Sequence, residues 1–571
     1  MLSVLLGILL AALDQTIVGP ALPRIVGDLQ GFDRYSWVVT IYLLTSTISV
    51  PIIGKLSDMY GRKWFYMAGI AIFVIGSILS GLSNDMNQLI AFRGLQGLGA
   101  GFITACAFAI IADLIPPADR GKWQGLFGAM FGLASVIGPT IGGYITDNYS
   151  WHWIFFVNVP VGIAALATLF FTFPNDIKRG VKKAIDWLGA GALVLSLVPL
   201  LVALSLGGSR DWDWGSARVI GLFVAAAVFL VAFLIIEARA AEPIIPLDLF
   251  KSGIFSVSVG VVFLTGVGLF GAVLYIPLFI QAIQGDTATA SGNAVMPLTL
   301  AVVVSSVITG QLISRTGKYR LIGIIGMAVV TLGMGLLATM QMDTPRLMTV
   351  IFMIVMGAGL GVAFPLYTLV VQNAFPIARV GVVTAAVQFF RSIGSTVGVA
   401  ILGTVVNNQF HSQFPGELQK AAAALPAATA SHIPLAQLSA GLGDINPQAL
   451  VSPEGLAALK AQLTQLGTPQ QALQTIVNLI TTAMKPALFA GIQEAFVIGT
   501  VLLGLGLVLT IFLKEIPLRR SNRGPAPAAS LAEGGVESFE YEAEEAGDEL
   551  AASGLPAMEL TPEEEPDLVE R

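Results

Sequence analysis

Fourteen separate stretches of about twenty predominantly apolar residues run through this chain, and they leave few folds open to it. A bilayer's hydrocarbon core, about 30 Å thick, takes roughly 20 apolar residues to cross as a helix. Such stretches fall at 2–23, 36–55, 64–83, 88–113, 123–145, 152–173, 186–206, 217–236, 254–281, 291–313, 320–341, 347–373, 381–406 and 488–513. Several contain prolines, among them Pro51, Pro139, Pro199, Pro277 and Pro365. In water these would argue against helix; within a membrane bundle neighbouring groups re-satisfy the freed backbone. Charged residues make up 12% of the chain, against roughly 25% in soluble domains. The predicted class is an all-α integral membrane protein. The chain opens at Met1 directly into an apolar run, without a basic leader or small-residue cleavage site, so that run is expected to be a permanent span.

Charge orients the spans. With the N-terminus cytoplasmic, the inner loops hold nineteen Lys and Arg and the outer loops eight. The excess favours both termini inside, in the cytoplasmic membrane. Residues 521–571 contribute fourteen acids and two arginines, so the net charge of −6 belongs to the tail and the membrane body is basic. That tail, rich in Ala, Gly, Pro and Glu, reads as disordered. Cys106 has no cysteine to pair with and reads as packing.

A short repeat divides the chain. Gly54-Lys55-Leu56-Ser57-Asp58-Met59-Tyr60-Gly61-Arg62-Lys63 lies between spans 2 and 3, and Gly310-Gln311-Leu312 with Gly317-Lys318 between spans 10 and 11. An offset of eight spans fits two parallel six-helix halves separated by two inserted helices, the construction of alternating-access carriers. The expected division is 1–173, a first bundle; 174–253, the inserted pair and linkers; 254–513, a second bundle; and 514–571, an acidic tail. Within the second bundle, 407–487 reads as an extracytoplasmic insertion. It has helix starts at Ser452-Pro453-Glu454 and Thr468-Pro469, and an apolar stripe at Leu473, Ile476, Val477, Ile480 and Met484. The stripe packs on another helix or on the membrane surface, or docks an accessory extracytoplasmic partner.

Among the spans, Asp14 is the only acid well clear of both ends. An ionised carboxylate there costs several kcal/mol; removal from water favours its neutral form, and a nearby cation its charged form. A carboxyl group that changes protonation state is what a proton-coupled carrier requires. The competing reading is an Asp satisfied by neighbouring backbone or hydroxyl groups. Arg93, in span 4, sits at a similar depth by helix rise, so a pair is feasible. In span 5, Gly128, Gly132, Gly138-Pro139, Gly142 and Gly143 permit close helix approach, for packing alone or as a seal or hinge. In the loop 54–63, Asp58 among Lys55, Arg62 and Lys63 is placed either to pair with them or to cap a helix across the two halves, as a latch.

These motifs resemble the major facilitator superfamily, and within it the fourteen-helix drug:proton antiporters of the EmrB/QacA type. Leu13-Asp14 with Thr16-Ile17-Val18 and Ala21-Leu22-Pro23 resembles the first-span signature, 54–63 the loop motif, Arg93 to Gly101 the span-4 motif, and Gly132 with Gly138-Pro139 and Gly142-Gly143 the antiporter signature. Ser291-Gly292 with Pro297, Gly359 with Gly361 and Pro365, and Arg391 to Gly394 resemble the second half. The resemblance implies the major facilitator fold, proton coupling by Asp14 and Arg93, gating by Gly54, Asp58, Gly61, Arg62 and Lys63, and antiport through the span-5 glycines and Pro139. It also puts spans 1, 4, 9 and 12 around a cavity. Gln96, Gln388, Phe389, Arg391 and Glu494 are further candidates for the cavity or for coupling in the second half.

Members exporting divalent cations resemble a pattern with extra acids in later spans; spans 10 and 13 here have none. One carboxylate among apolar walls suits monovalent lipophilic cations or neutral amphiphiles. The expected function is export of amphiphilic drugs in exchange for protons, with export of a lipid or other endogenous amphiphile as the alternative. Partners are then small amphiphiles, protons and the bilayer, with no nucleic acid, and a monomer is expected. His152, His411 and His432 lack metal-ligand spacing and no phosphate loop occurs, so no metal, cofactor or enzymatic activity is expected; the proton gradient is the energy source.

Overall fold

The computed structural model describes residues 1–29, 35–173, 186–207, 212–285, 295–376, 379–423, 460, 464 and 470–518. Among them, fourteen helices are long and apolar enough to cross a membrane, and no strand forms. The first six are α1 (Leu2–Asp28), α2 (Tyr35–Tyr60), α3 (Arg62–Gly81), α4 (Met86–Leu114), α5 (Pro117–Asn148) and α6 (Trp153–Thr172). Next come α7 (Trp187–Leu206) and α8 (Ala217–Glu237). The last six are α9 (Gly253–Ala282), α10 (Met296–Thr316), α11 (Arg320–Ala338), α12 (Arg346–Ala374), α13 (Val380–Ala423) and α14 (Gln470–Ile511). This is two six-helix bundles with two helices inserted between them. A turn at Val157 divides α6 into Trp153–Phe156 and Asn158–Thr172.

The starts of several helices follow from their sequence. The Asp85 side chain accepts from the Gln88 N–H at the head of α4, and Asp186 does the same for the Gly189 N–H of α7, each satisfying an orphan donor. The repeated loop motif ends α2 and α10 in the same way. Gly61 and Gly317 take positive φ, 98° and 68°, where a side chain would be strained, and the next helix follows. Beyond that the two copies diverge. Tyr319 packs against the chain that follows α14: its hydroxyl donates to the Lys514 carbonyl at 2.9 Å and accepts from the Ile516 N–H at 2.7 Å. Burial pushes that hydroxyl up to about 12, so it stays neutral and can do both. The first copy instead reaches across to the second bundle.

The second bundle shares one continuous apolar core, whereas the first is built from smaller clusters. The inserted pair α7–α8 lies over the seam between bundles, where Leu193, Leu197 and Leu201 of α7 pack with Leu44 and Ile48 of α2 and Phe389 of α13. The outer face of α8 presents Ile220, Val224, Val228, Val231 and Ile235, as a lipid-facing helix should.

Helices run on through both expected insertion boundaries. No break occurs at 407 or 487: α13 runs on to Ala423, through Pro415, and α14 begins at Gln470, before Pro486. Forty-four residues span roughly 66 Å, about twice the hydrocarbon core. The extensions hold together because Phe410, Phe414 and Leu418 of α13 belong to one core with Ile476, Val477, Ile480 and Met484 of α14. The predicted stripe thus packs on the other long helix. The helix starts at 452–454 and 468–469, the basic loop 178–183, Ser291-Gly292 and the acidic tail from 521 lie outside the described residues.

The glycines of α5 serve two neighbours. Gly125 and Gly132 face α10, where an added Cβ would lie 3.0 Å from the Val307 Cα and against Val303. Gly138 and Gly142 face α1, where it would meet Thr16 and the Ile17 carbonyl. Gly143 has nothing within 4 Å. The helix runs unbroken through Pro139. Gly138→Ala should therefore cost about 1–3 kcal/mol by overpacking against α1, while Gly143→Ala should stay within about 0.5 kcal/mol of wild type. Thermal midpoints in detergent measure both; equal losses would show that α5 does not owe this pattern to close contact.

Candidate functional site

Asp14 lies wholly buried in the first bundle, and side chains of two helices, α4 and α6, satisfy it. From α4, the Arg93 guanidinium donates Nη1–H to its Oδ2 at 2.6 Å, and Gln96 donates Nε2–H to its Oδ1 at 2.7 Å. Asn158, at the break in α6, donates Nδ2–H to the same Oδ1 at 2.9 Å. Ser77 of α3 accepts from both amides, at 3.1 and 3.0 Å, and donates to the Phe155 carbonyl at 2.8 Å. Arg93 also donates to the Gln96 Oε1 at 2.8 Å and lies over the Tyr42 ring of α2, 4.3 Å from its centroid. A buried ion pair tolerates such a site only when hydrogen bonds satisfy its remaining valences, and here they nearly do. The exception is the Asn158 Oδ1, buried and accepting nothing.

A second cluster closes one end of the bundle. Asp58, at the end of α2, accepts from the Val382 N–H in the first turn of α13 at 2.8 Å, and its other oxygen pairs with Arg62. Arg62 also donates to the Ser57 hydroxyl at 2.7 Å and to Asp113, at the end of α4, at 2.9 Å. Lys63 donates to the carbonyls of Phe170 and Phe173 at the end of α6. Asp58 thus does both things open to it, pairing with the local base and capping a helix of the opposite bundle. The close fit requires Gly381, since a Cβ there would strike the Asp58 carboxylate and the Arg62 guanidinium. Beside it the Gly54 Cα faces the Ala385 methyl. Gln124 of α5 donates to Gln372 of α12, which in turn donates to Thr384 of α13 at 3.0 Å.

Accessibility changes along the bundle. Val380 to Phe389 of α13 are buried at the Asp58 end, and partial exposure begins at Phe390 to Ile393. On α1, buried through Asp14 on its inner faces, Gln15 and Gly19 are exposed.

Other predicted residues distribute differently from expectation. Gln96 belongs to the Asp14 cluster instead of lining a cavity. Phe389 is corrected from cavity to seam, packed with α2 and α7, because its ring continues the apolar face that meets the inserted pair. Gln388 is buried on α13. Glu494 is corrected too: it is exposed on α14, on the helical face of Val497, Val501 and Leu505, so it looks outward. Arg391 lies between α13 and α12, donating Nη2–H to the Phe364 carbonyl at 3.2 Å and to the Thr368 hydroxyl at 3.4 Å. Asp14, the one carboxylate expected to meet a monocationic cargo, is held by Arg93 and exposes no surface.

Sequence reasoning missed Tyr42, Ser77, Asp113, Asn158, Gln372 and Gly381. Lone polar groups inside apolar spans marked Asn158 and Ser77; Gly381 gave no signal, since its role is a contact between distant segments.

A bundle of two six-helix halves, joined end to end through polar contacts and holding a satisfied ion pair among its spans, is a multi-pass membrane transporter. The chain belongs to the Major Facilitator Superfamily, whose sequence profile matches residues 4–399. Two proteins of Bacillus subtilis strain 168 are similar over nearly the whole chain. The multidrug transporter protein MdtP is 39% identical over 525 residues, covering 91% of this chain and 93% of that protein. The multidrug resistance protein 3 is 38% identical over 512 residues, covering 90% and 94%. Solved structures agree on the fold. The human organic anion transporter MFSD10 superposes with TM-score 0.53 at 14% identity, over 88% of this chain and 98% of that one. The proton:xylose symporter XylE gives 0.51 at 15%, over 70% and 86%.

Proposed function

We propose that the protein is a multidrug-type exporter that expels amphiphilic small molecules in exchange for protons by alternating access. It works in the cytoplasmic membrane with the Asp58 end and both termini inside. The observation that carries this reading is the Asp14–Arg93 pair, buried among apolar spans and satisfied from α4 and α6, with Ser77 of α3 holding the two amides. Its similarity to two named multidrug proteins supports drugs as cargo, and the basic loops support the orientation.

Proton uptake at Asp14 would remove the anion facing Arg93. The protonated carboxyl needs an acceptor, and the Asn158 Oδ1 supplies one after rotation of its amide. Arg93 keeps its hold on the Tyr42 ring. Two rigid helices then link this cluster to the seal: α2 carries Tyr42 and Asp58, and α4 carries Arg93 and Asp113. A shift of either helix acts on the contact to Val382, a two-state element of the kind coupling requires. The contact at Asp58 and the exposure of Gln15 support an outward-open reading.

The test uses proteoliposomes and a fluorescent amphiphile without a titratable group. Acidifying the lumen should drive dye uptake, and a protonophore should stop it. Equal uptake with and without the gradient would refute proton coupling. A lipid-like cargo is the second reading, favoured by the α13–α14 hairpin that reaches beyond the bilayer; a fluorescent phospholipid moved in place of the dye would establish it.

A further inference from the structure

We infer that Arg391 is an anion-recognition site, which selects amphiphiles with an acidic headgroup such as a carboxylate, sulfonate or phosphate; the inference rests on the exporter reading above. Within the predicted spans and away from their ends, the charges other than Glu494, which is exposed on α14, are Asp14, Arg93 and Arg391. The first two cancel within the first bundle. Arg391 has no carboxylate partner among the described residues, so the interior is left with one positive charge. An unpaired guanidinium inside the membrane is costly, and such groups mark substrate pathways.

The geometry leaves Arg391 underused. Its two hydrogen bonds, to the Phe364 carbonyl and the Thr368 hydroxyl, are 3.2 and 3.4 Å long, at or beyond the usual range. Its Nε–H is buried and has no acceptor. The Phe364 ring lies under the guanidinium, 4.8 Å from centroid to Cζ, and fixes its plane. A planar fork held on one face, with an unspent donor, suits a two-oxygen acid. Position agrees: Arg391 follows directly on the sealed segment Val380–Phe389, where α13 first becomes accessible. A cationic headgroup at this level would meet a like charge and find Asp14 already taken. The competing role is a brace between α12 and α13, which would use the same two hydrogen bonds without discriminating between headgroups.

Binding to the full chain in nanodiscs of zwitterionic lipid separates these roles. Three probes share one dodecyl chain and one fluorophore and differ only in a sulfonate, trimethylammonium or hydroxyl headgroup. The wild type should bind the sulfonate about 10- to 100-fold more tightly than the ammonium, the scale of a charge-assisted hydrogen bond. Arg391→Gln should lose that margin and keep its affinity for the hydroxyl probe, and Arg391→Lys should retain part of it. A wild type without headgroup preference, or one favouring ammonium, overturns the inference. So does an Arg391→Gln variant that weakens all three probes alike. Sulfonate transport in proteoliposomes is read separately. Headgroup-selective binding without gradient-driven movement leaves the site standing and fails the exporter reading; movement without selectivity fails the site alone.

Discussion

Asp14→Asn is expected to abolish gradient-driven transport, because it removes the group to which the proposed mechanism assigns the proton. The loss should be roughly 100-fold or more, the scale on which a proton-transfer group contributes. The variant also leaves Arg93 buried with no anion, and breaking a buried pair from one side costs about 3–5 kcal/mol. A poorly folded single variant would be uninformative, so the double variant Asp14→Asn, Arg93→Gln is its partner. With both charges gone and amides in their place, most of the thermal stability should return. Coupling should not return, since neither side chain titrates. Downhill movement of the amphiphile can persist in the double variant, but it should no longer respond to lumenal pH. Uphill transport by either variant would assign proton coupling elsewhere and reduce Asp14 to a packing residue.

The second large effect is expected at the seal. Asp58 accepts one hydrogen bond from a helix N-terminus and another from Arg62, so its charge is worth most in the sealed state. Hydrogen bonds to charged groups contribute about 1.5–3 kcal/mol each, and losing one cross-bundle contact would shift a two-state balance by roughly 10- to 100-fold. Asp58→Asn weakens the contact, and Gly381→Ala forces a methyl into it. Cysteine accessibility gives the readout. Cys106 is the only cysteine and is fully buried, so Cys106→Ser provides a clean background for Gln372→Cys, placed inside the seal. A membrane-impermeant maleimide applied from the Asp58 side should label the parent slowly and the Asp58→Asn and Gly381→Ala forms roughly 10- to 100-fold faster. Unchanged labelling in well-folded variants would show that Asp58 does not hold this end shut.

How much of this was legible depended on the range of the interaction involved. Hydropathy is a local property, so fourteen spans could be counted along the chain, and Asp14 stood out because a lone acid in such a run is costly wherever it packs. The depth argument brought Arg93 near it, but the roles of Gln96, Asn158 and Ser77 depended on which faces of α3, α4 and α6 converge. The continuation of both helices into the insertion was not legible for a related reason. Hydropathy falls where a helix leaves the bilayer, although the helix continues as long as Phe410, Phe414 and Leu418 find an apolar partner. Phe389 and Glu494 were candidates for the cavity or for coupling by their position in a span, and a span has more than one face.

What the sequence by itself determined is the membrane as solvent, the number of crossings, the paired halves and the presence of Asp14 and Arg93 among the apolar spans. Each of these follows from local composition and spacing, because the bilayer imposes the same length and polarity rule on every helix. Only the tertiary structure decided that Asp14 is spent on Arg93, that Asp58 reaches the head of α13, and that Arg391 has no anion among the described residues. These are matters of which helix faces meet. In a bundle whose walls are nearly all apolar, a few buried polar contacts between residues far apart in sequence make that choice.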